Sequence, residues 1–576
     1  ALPRFELPTA DSGPQTSETP PRMTTIESSP GAVATSDGDA DTTSALGTVV
    51  GAFTSTDHKV TGRLYLAGGL LGLVATVAIN VLIAVERLDG ADVVLDAEVL
   101  PQLVDAQYVG LVFATLLPLV MAACVYAVPL QLGARSIAFP RLASSGFWMW
   151  FGGLILTTIA LINNGGSLGG DADAVDLFIA GIGLMAIGIT ATAGAVATTL
   201  LTTRAPGMTM RRIPPFSWSA LVFSLGVILV MPVLLGTLAY LFLDHRNART
   251  GFGGNEGIFV WAGWIFTQPV TFLFAIPAIG MLAELAPVVF GRRTPVRGVL
   301  FGGLALIGMA ALAGVTQQNI QNLPWSGSQL NVDDLETKVR DLVPFLLFNA
   351  LPVLGMLLVL MVVLQTARPG EGTRFKFSPA ILFAFFGFGM VLVGMLGNLL
   401  HAADDLDLQG TVFEEATLIY VVYGGVLAAM GATIHWAPKL WGATLDAGKV
   451  LPLALLGLTG TILAAFPMYI AGFLDQPAGL SYLDDDLVIW NVIALVGHAF
   501  MAVTVLGFIG LVLLSSRHDD AIGDDPWDAQ TLEWATTSPA PRDNFVDVPV
   551  VHSAEPLLDL KTAATSTAAS NDGSNA

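Results

Sequence analysis

Apolar residues in this chain gather into twelve runs of about membrane-spanning length, separated by polar loops. The runs cover 64–85, 107–128, 147–162, 177–201, 217–243, 258–289, 299–315, 342–364, 380–400, 412–434, 450–473 and 487–514. A hydrocarbon core about 30 Å thick takes about 20 apolar residues of helix. In lipid every backbone polar group must be satisfied within the protein, so runs of this kind are helices. The pattern predicts an all-α polytopic membrane protein with twelve transmembrane helices. The sixth run is long enough for two short spans, but Pro269 and Pro277 inside it favour one long, kinked helix.

The segments outside the runs read differently. Residues 1–47 are rich in Ser, Thr, Pro, Asp and Gly and lack the basic and apolar regions of a signal peptide. They are expected to form a disordered N-terminal tail. Residues 48–516 form the membrane domain. Residues 517–576 are polar and acidic and are expected to be a mostly disordered C-terminal tail, with Trp527 and Trp534 placed to anchor part of it to a partner or to the membrane edge.

Loop charge gives the orientation. The loops after the even-numbered spans carry Arg135 and Arg141, Arg211 and Arg212, Arg292 and Arg293, Arg374 and Lys376, and Lys439 and Lys449. The opposite loops are mainly acidic, with Asp171 and Asp173, Asp333 and Asp334, Asp404 and Asp405, and Asp484 to Asp486, although Arg246 and Arg249 depart from the bias. Basic loops stay in the cytoplasm, so the expected location is the cell membrane, multi-pass, with both termini cytoplasmic. An even number of spans agrees with that.

Composition sharpens this picture at three points. Of 576 residues, 53% are hydrophobic and 12% charged, with a mean hydropathy of +0.68; soluble domains carry about 25% charged residues. The net charge of −21 disfavours nucleic acid as a partner. Acidic loops with little lysine suit a protein bathed in high salt, as in the acidic proteome of a halophilic source. The single cysteine, Cys124, lies within a span, so no internal disulfide framework exists, and a small buried apolar role suits it.

The spans contain almost no basic residues. Glu284 is the clearest candidate for a buried acid. It is expected near the cytoplasmic membrane edge, within reach of Arg292 or Arg293, with a proton or ion site as the alternative. Glu414 and Glu415, at the start of the tenth span, are expected to be interfacial.

Several strings resemble subunit I of the haem–copper oxidase superfamily: STDHKVTGRLYL at 55–66, PLQLGARSIAFPRL at 129–142, and IHWAPKLWG at 434–442. The likeness covers roughly 53–514, and the sixth helix looks closest to the ba3-like branch. The resemblance implies twelve helices arranged as three arcs, two haems and one copper ion in a working member, and a subunit II-like membrane protein as partner. It also implies six histidine ligands, since neutral imidazole suits haem iron and copper.

At the positions the resemblance assigns to those ligands, this chain has none. Counting eleven residues back from Pro118 in the second span reaches Gln107. The His-Pro of the sixth span is Gln268-Pro269, and the redox tyrosine four positions on is Phe272. The His-His of the seventh span is Gln317-Gln318, and the His-x-His of the tenth falls on Ala416 and Leu418. The register at the tenth span can slip, yet no histidine lies between His401 and His435. The propionate-holding Arg pair after Pro477 is Ala478-Gly479. In the eighth span Phe345 and Phe348 stand where the family's proton route places hydroxyl-bearing residues.

Glutamine amides are hard, neutral donors that suit copper and haem iron poorly. Gln107, Gln268, Gln317 and Gln318 therefore read as replacements that keep polarity without ligation, and as buried amides they need hydrogen-bond partners. His401 and His498 are the only histidines that could be proposed as a substitute haem pair, which needs facing rings at matched depth. The expectation is a non-catalytic, cofactor-free paralogue acting as a scaffold or accessory subunit of a respiratory-chain assembly, beside lipid, a subunit II-like protein and a catalytic oxidase subunit. Two alternatives stand beside it. One is a terminal oxidase that couples cytochrome c or quinol oxidation to oxygen reduction and proton pumping. The other is a membrane protein that binds a small molecule, lipid, quinone or ion in the vacated pocket.

Overall fold

A computed structural model describes residues 51, 55–88, 99–249, 251–254, 256–316, 343–368, 375–402, 406–479, 486–517, 522–548 and 550–561. Twelve helices among them are long and apolar enough to cross a membrane: α1 (His58–Glu86), α2 (Leu100–Gln131), α3 (Pro140–Ile162), α4 (Ala172–Thr202), α5 (Pro215–Arg246), α6 (Gly257–Phe290), α7 (Arg297–Thr316), α8 (Val343–Thr366), α9 (Pro379–His401), α10 (Val412–Trp441), α11 (Ala447–Phe473) and α12 (Val488–Ser515). Each contains or overlaps one predicted run. One end of the bundle carries Arg135, Arg212 and Arg292 and is called the basic end below; the other carries Asp171 and Asp173 and is called the acidic end. Residues 1–47 of the expected N-terminal tail, together with Asp333, Asp334, Asp404, Asp405, Asp484 and Asp485, lie outside the described residues.

Helix starts follow from local chemistry. Asp57, Asp171, Thr411 and Asp446 cap α1, α4, α10 and α11, each accepting a first-turn backbone N–H. Pro140, Pro215 and Pro379 open α3, α5 and α9, where the missing N–H costs nothing.

Three helices are interior. The apolar windows of α2, α6 and α10 are 94%, 100% and 100% buried, whereas those of the other nine lie between 33% and 61%. Since α1 also packs against α12, the sequence of neighbours closes on itself around these three. Close approach is built from small residues. A Cβ placed on Gly72 of α1 would lie 2.1 Å from the Ala114 carbonyl oxygen of α2, so only glycine allows that contact.

The sixth span departs from expectation. It is not one continuous kinked helix. A short α-helix, Glu256–Ala262, passes into a 3-10 turn at Gly263–Ile265, and α-helix resumes only at Val270–Phe290. Pro269 occupies the N-cap of the second segment, because it can neither donate an N–H nor sit inside the preceding turn. Pro277 and Pro287 are accommodated within helix. In α2 a π-helical turn, Gly110–Leu116, begins three residues after Gln107.

The C-terminal segment is the larger correction. Disorder was expected over 517–576, but 522–548 and 550–561 pack against the basic end of the bundle, where Leu532, Glu533 and Trp534 are buried. Residues 562–576 lie outside the described residues. The segment is held mainly by side chains that capture backbone carbonyls. Lys439 Nζ donates to Thr536 O at 2.6 Å, Asp524 O at 3.1 Å and Thr537 O at 3.3 Å, and sits 5.1 Å above the Trp534 ring. Trp527 Nε1 donates to His435 O at 2.8 Å, and Lys59 Nζ donates to Arg542 O at 2.9 Å. Trp527 and Trp534 therefore anchor the segment to α10 of the same chain, with rings 6.2 and 5.1 Å from that of His435. Such contacts leave no apolar periodicity in the sequence, which is why composition alone suggested a tail.

Candidate functional site

The described positions that the resemblance assigns to haem and copper ligands fall on α2, α6 and α10, the three interior helices. Gln107 of α2 is 2% exposed. Its Nε2 donates to Glu415 Oε1 of α10 at 2.7 Å. The same carboxylate accepts both guanidinium nitrogens of Arg87, which follows α1, at 3.2 and 2.7 Å. Arg87 and Glu415 are 6% and 3% exposed. Glu415 is thus not interfacial, as expected from its place at a span end, but the centre of a buried bidentate pair. Asn491 at the start of α12 donates to Arg87 O at 3.2 Å, and Gln476 donates to Asn491 Oδ1 at 3.2 Å. Four helices and the α11–α12 loop therefore converge on one polar cluster at the acidic end.

Arg87 was missed by reading the sequence. The available signal was a basic residue ending one span and an acid opening another. The two are 328 positions apart, and nothing local pairs them.

Ala416 and Leu418 follow Glu415 on α10, are 0% and 1% exposed, and have side chains with no donor atom. Ala478 donates its N–H to Gly410 O at 2.9 Å. Gly479, at φ +73°, faces Val104 about one turn from Gln107 on α2. The positions of the absent Arg pair thus lie beside the cluster that contains Arg87.

Gln268 lies at the break in α6 and is 4% exposed, with neither Oε1 nor Nε2 hydrogen-bonded among the described residues. The expectation that the glutamines find partners holds for Gln107, whereas Gln268 makes no hydrogen bond to a described residue. Phe272 is 0% exposed and brings no phenol. Gln317 and Gln318 lie outside the described residues. Three residues before them, Gly314 of α7 packs against the ring of Trp264. Phe348 is buried and Phe345 is half-buried.

Because the Gln268 amide is buried without a partner among the described residues, Gln268→Met is expected to raise the unfolding free energy by about 1–2 kcal/mol. It removes two unsatisfied polar atoms at nearly constant volume. Unfolding titrations of both forms in mixed micelles check this, and a loss of stability would mean that the amide has a bound partner.

His401 and His498 do not form a pair. His401 stacks on Phe413, with ring centroids 6.4 Å apart. His498 Nδ1 lies 3.0 Å from Tyr423 Oη, which in turn accepts from Asn80 Nδ2 at 2.8 Å. Phe413 and Tyr423 are ten residues apart on α10, about 15 Å along its axis, so the two histidines sit at different depths.

These donors do not fit the groups that the resemblance implies. A low-spin haem needs two axial imidazoles, yet Gln107 is engaged with a carboxylate and its opposite positions have no donor. Leu116 of α2 lies against Gly425 of α10, so close that a Cβ on the glycine would be 2.5 Å from Leu116 Cδ1. The two helices therefore touch directly nine residues along from Gln107 and from Ala416. A crevice on the same seam, lined by Leu119, Ala122 and Ala432, has about 20 Å³ open to a water-sized molecule, room for roughly one water. At the copper position an amide and a phenylalanine stand in for imidazole and phenol. Among the described residues no three His, Cys, Asp or Glu side chains are grouped to hold a metal ion.

Glu284 is 2% exposed, confirming its burial. Its Oε2 accepts the Phe216 N–H at 3.0 Å. It is not paired with Arg292 or Arg293, since Arg293 bonds Asp559 at 2.6 Å and Arg292 donates to Arg368 O. Nearby, Glu533 of the docked C-terminal segment accepts from Gln131 Nε2 at 3.1 Å, and Gln131 Oε1 accepts from Ser217 at 2.7 Å. Burial pushes the Glu533 carboxyl above the usual carboxylate range, against the pull of the Gln131 amide.

Twelve spans with three buried at the centre, and ligand positions assigned by the resemblance on those three helices, α2, α6 and α10, match a subunit I architecture. Comparison with known proteins agrees. The family model described as cytochrome c and quinol oxidase polypeptide I matches residues 60–325. Cytochrome c oxidase subunit 1 of Bacillus subtilis is 29% identical over 532 residues, covering 88% of this chain and 83% of that one. A Streptomyces coelicolor protein with the provisional name cytochrome c oxidase subunit 1-beta is 31% identical over 539 residues, covering 88% of this chain and 90% of its own. A Streptomyces avermitilis protein of the same name is 30% identical over 544 residues, covering 89% and 92%. The chain belongs to the haem–copper oxidase subunit I family.

Proposed function

We propose that this chain is a non-catalytic, cofactor-free member of its family that serves as a membrane scaffold or accessory subunit of a respiratory-chain assembly. The observation that carries the reading is the Gln107–Glu415–Arg87 cluster. Where haem ligation calls for a free imidazole, the side chain is an amide already committed to a buried ion pair. The loss of Phe272's phenol and of the Arg pair at Ala478-Gly479 points the same way. Its partners on this reading are a subunit II-like membrane protein and a catalytic oxidase subunit. Both termini face the cytoplasm, on the strength of the basic loops.

The names of the relatives favour a second reading, a working terminal oxidase subunit that oxidises cytochrome c or quinol. Oxygen uptake separates the two. Purified protein in liposomes, supplied with reduced cytochrome c or a reduced quinol, is expected to consume oxygen at the rate of empty liposomes. Turnover above that background would favour the oxidase reading. A ligand-binding role for the vacated core is disfavoured by the full burial of Phe272 and the direct contact of Leu116 with Gly425.

A further inference from the structure

The junction of α3 and α4 at the basic end carries a surface cavity of about 680 Å³ that the cluster at Gln107 does not involve. Its lining changes character along its length. Arg141, Ser144 and Ser145 in the first turns of α3, with Ser55 and Thr56 before α1, line the mouth, and Trp148, Met149 and Leu184 line the depth. From Arg141 to Met149 is eight residues of helix, about 12 Å along the axis. The cavity therefore runs from a cationic, hydroxyl-rich end at the membrane edge to an apolar end within the hydrocarbon.

Arg141 is exposed and forms no ion pair or hydrogen bond among the described residues. Other arginines at this end are engaged: Arg204 and Arg212 with backbone carbonyls, Arg293 and Arg297 with carboxylates. Ser144 lines the same mouth, is 7% exposed, and has no hydrogen-bond partner among the described residues. The N-terminus of α3 adds to this, since its N-cap, Phe139, supplies no capping side chain and a helix N-terminus favours anions. Phe139 and Leu142 beside it are 61% and 42% exposed, which places apolar side chains at the hydrocarbon edge.

We propose that this cavity is a binding site for one anionic phospholipid, with its phosphate on Arg141 and Ser144 and an acyl chain along Trp148, Met149 and Leu184. A guanidinium takes a phosphate bidentately, and the serine hydroxyl supplies a further donor. A protein helix would fill the apolar half but leave Arg141 and Ser144 without an anion, whereas a phospholipid satisfies both halves.

The test is native mass spectrometry of the full chain from nanodiscs of phosphatidylcholine containing one-tenth phosphatidylglycerol. The wild type is expected to retain one phosphatidylglycerol in preference to phosphatidylcholine. Arg141→Gln is expected to weaken that retention roughly ten-fold, in line with loss of one charge-assisted contact. Leu184→Trp, which fills the apolar end, is expected to weaken it while leaving Arg141 in place. Far-ultraviolet circular dichroism and melting of each variant show that the fold is intact. Equal retention by wild type and Arg141→Gln would overturn the proposal, as would equal retention of the two lipids. So would Arg141-dependent binding of inorganic phosphate in lipid-free detergent with no preference for phosphatidylglycerol, or a co-purified polypeptide that occupies the cavity in place of lipid.

Discussion

Glu415→Ala is expected to destabilise the membrane domain by about 3–5 kcal/mol, the range for removing one partner of a buried ion pair. The change strands the Arg87 guanidinium, 6% exposed, without its carboxylate, and removes the acceptor of Gln107 Nε2. The same loss is expected for Arg87→Ala. The double variant Arg87→Met/Glu415→Leu, which replaces both charges with apolar groups of similar volume, is expected to recover most of it. A double-mutant cycle from unfolding in mixed micelles measures the coupling directly. Additive single effects would show that the pair does not join α1 to α10 in the way described. Because this cluster stands at a position the resemblance assigns to a ligand, it also gives those helices a direct polar connection there.

Lys439→Met is expected to loosen the C-terminal segment at the basic end. Lys439 Nζ holds the carbonyls of Thr536, Asp524 and Thr537 and faces the Trp534 ring, so its loss removes the donor to Thr536 O and Thr537 O, while Asp524 O keeps the Ser538 hydroxyl at 3.0 Å. Each buried group left unsatisfied costs about 1–3 kcal/mol, enough together to loosen 527–536 locally despite the burial of Leu532 and Trp534. Hydrogen–deuterium exchange is the measurement. Amides in 527–536 are expected to exchange at least ten-fold faster in the variant, while α10 keeps its protection. Unchanged protection in 527–536 would show that Trp527, Trp534 and Lys59 suffice to hold the segment.

Much of the fold was legible because lipid imposes a simple rule on sequence. Long apolar runs gave the number of spans, and Pro269 marked where the sixth is interrupted, although it produced a break and not the expected kink. The burial of Glu284 was legible from its place in an apolar run, but its partner was not. The expected arginines are engaged elsewhere, and a backbone N–H from α5 serves in their place. The positions that the resemblance assigns to ligands are counted by register alone. What stands beside them is not legible that way, since Arg87 and Glu415 meet only through tertiary packing. Glu415 looked interfacial because nothing in its neighbourhood announces a cation. The C-terminal segment escaped for a related reason: its contacts run from single side chains to distant carbonyls, and no periodic pattern encodes them.

The central claim, that this member of the family carries no redox cofactor, is tested most directly by a pyridine haemochrome assay together with copper analysis of protein purified from its native membranes. The account predicts neither haem nor copper at a meaningful fraction of the protein concentration. Haem or copper at one or more equivalents per chain would contradict it.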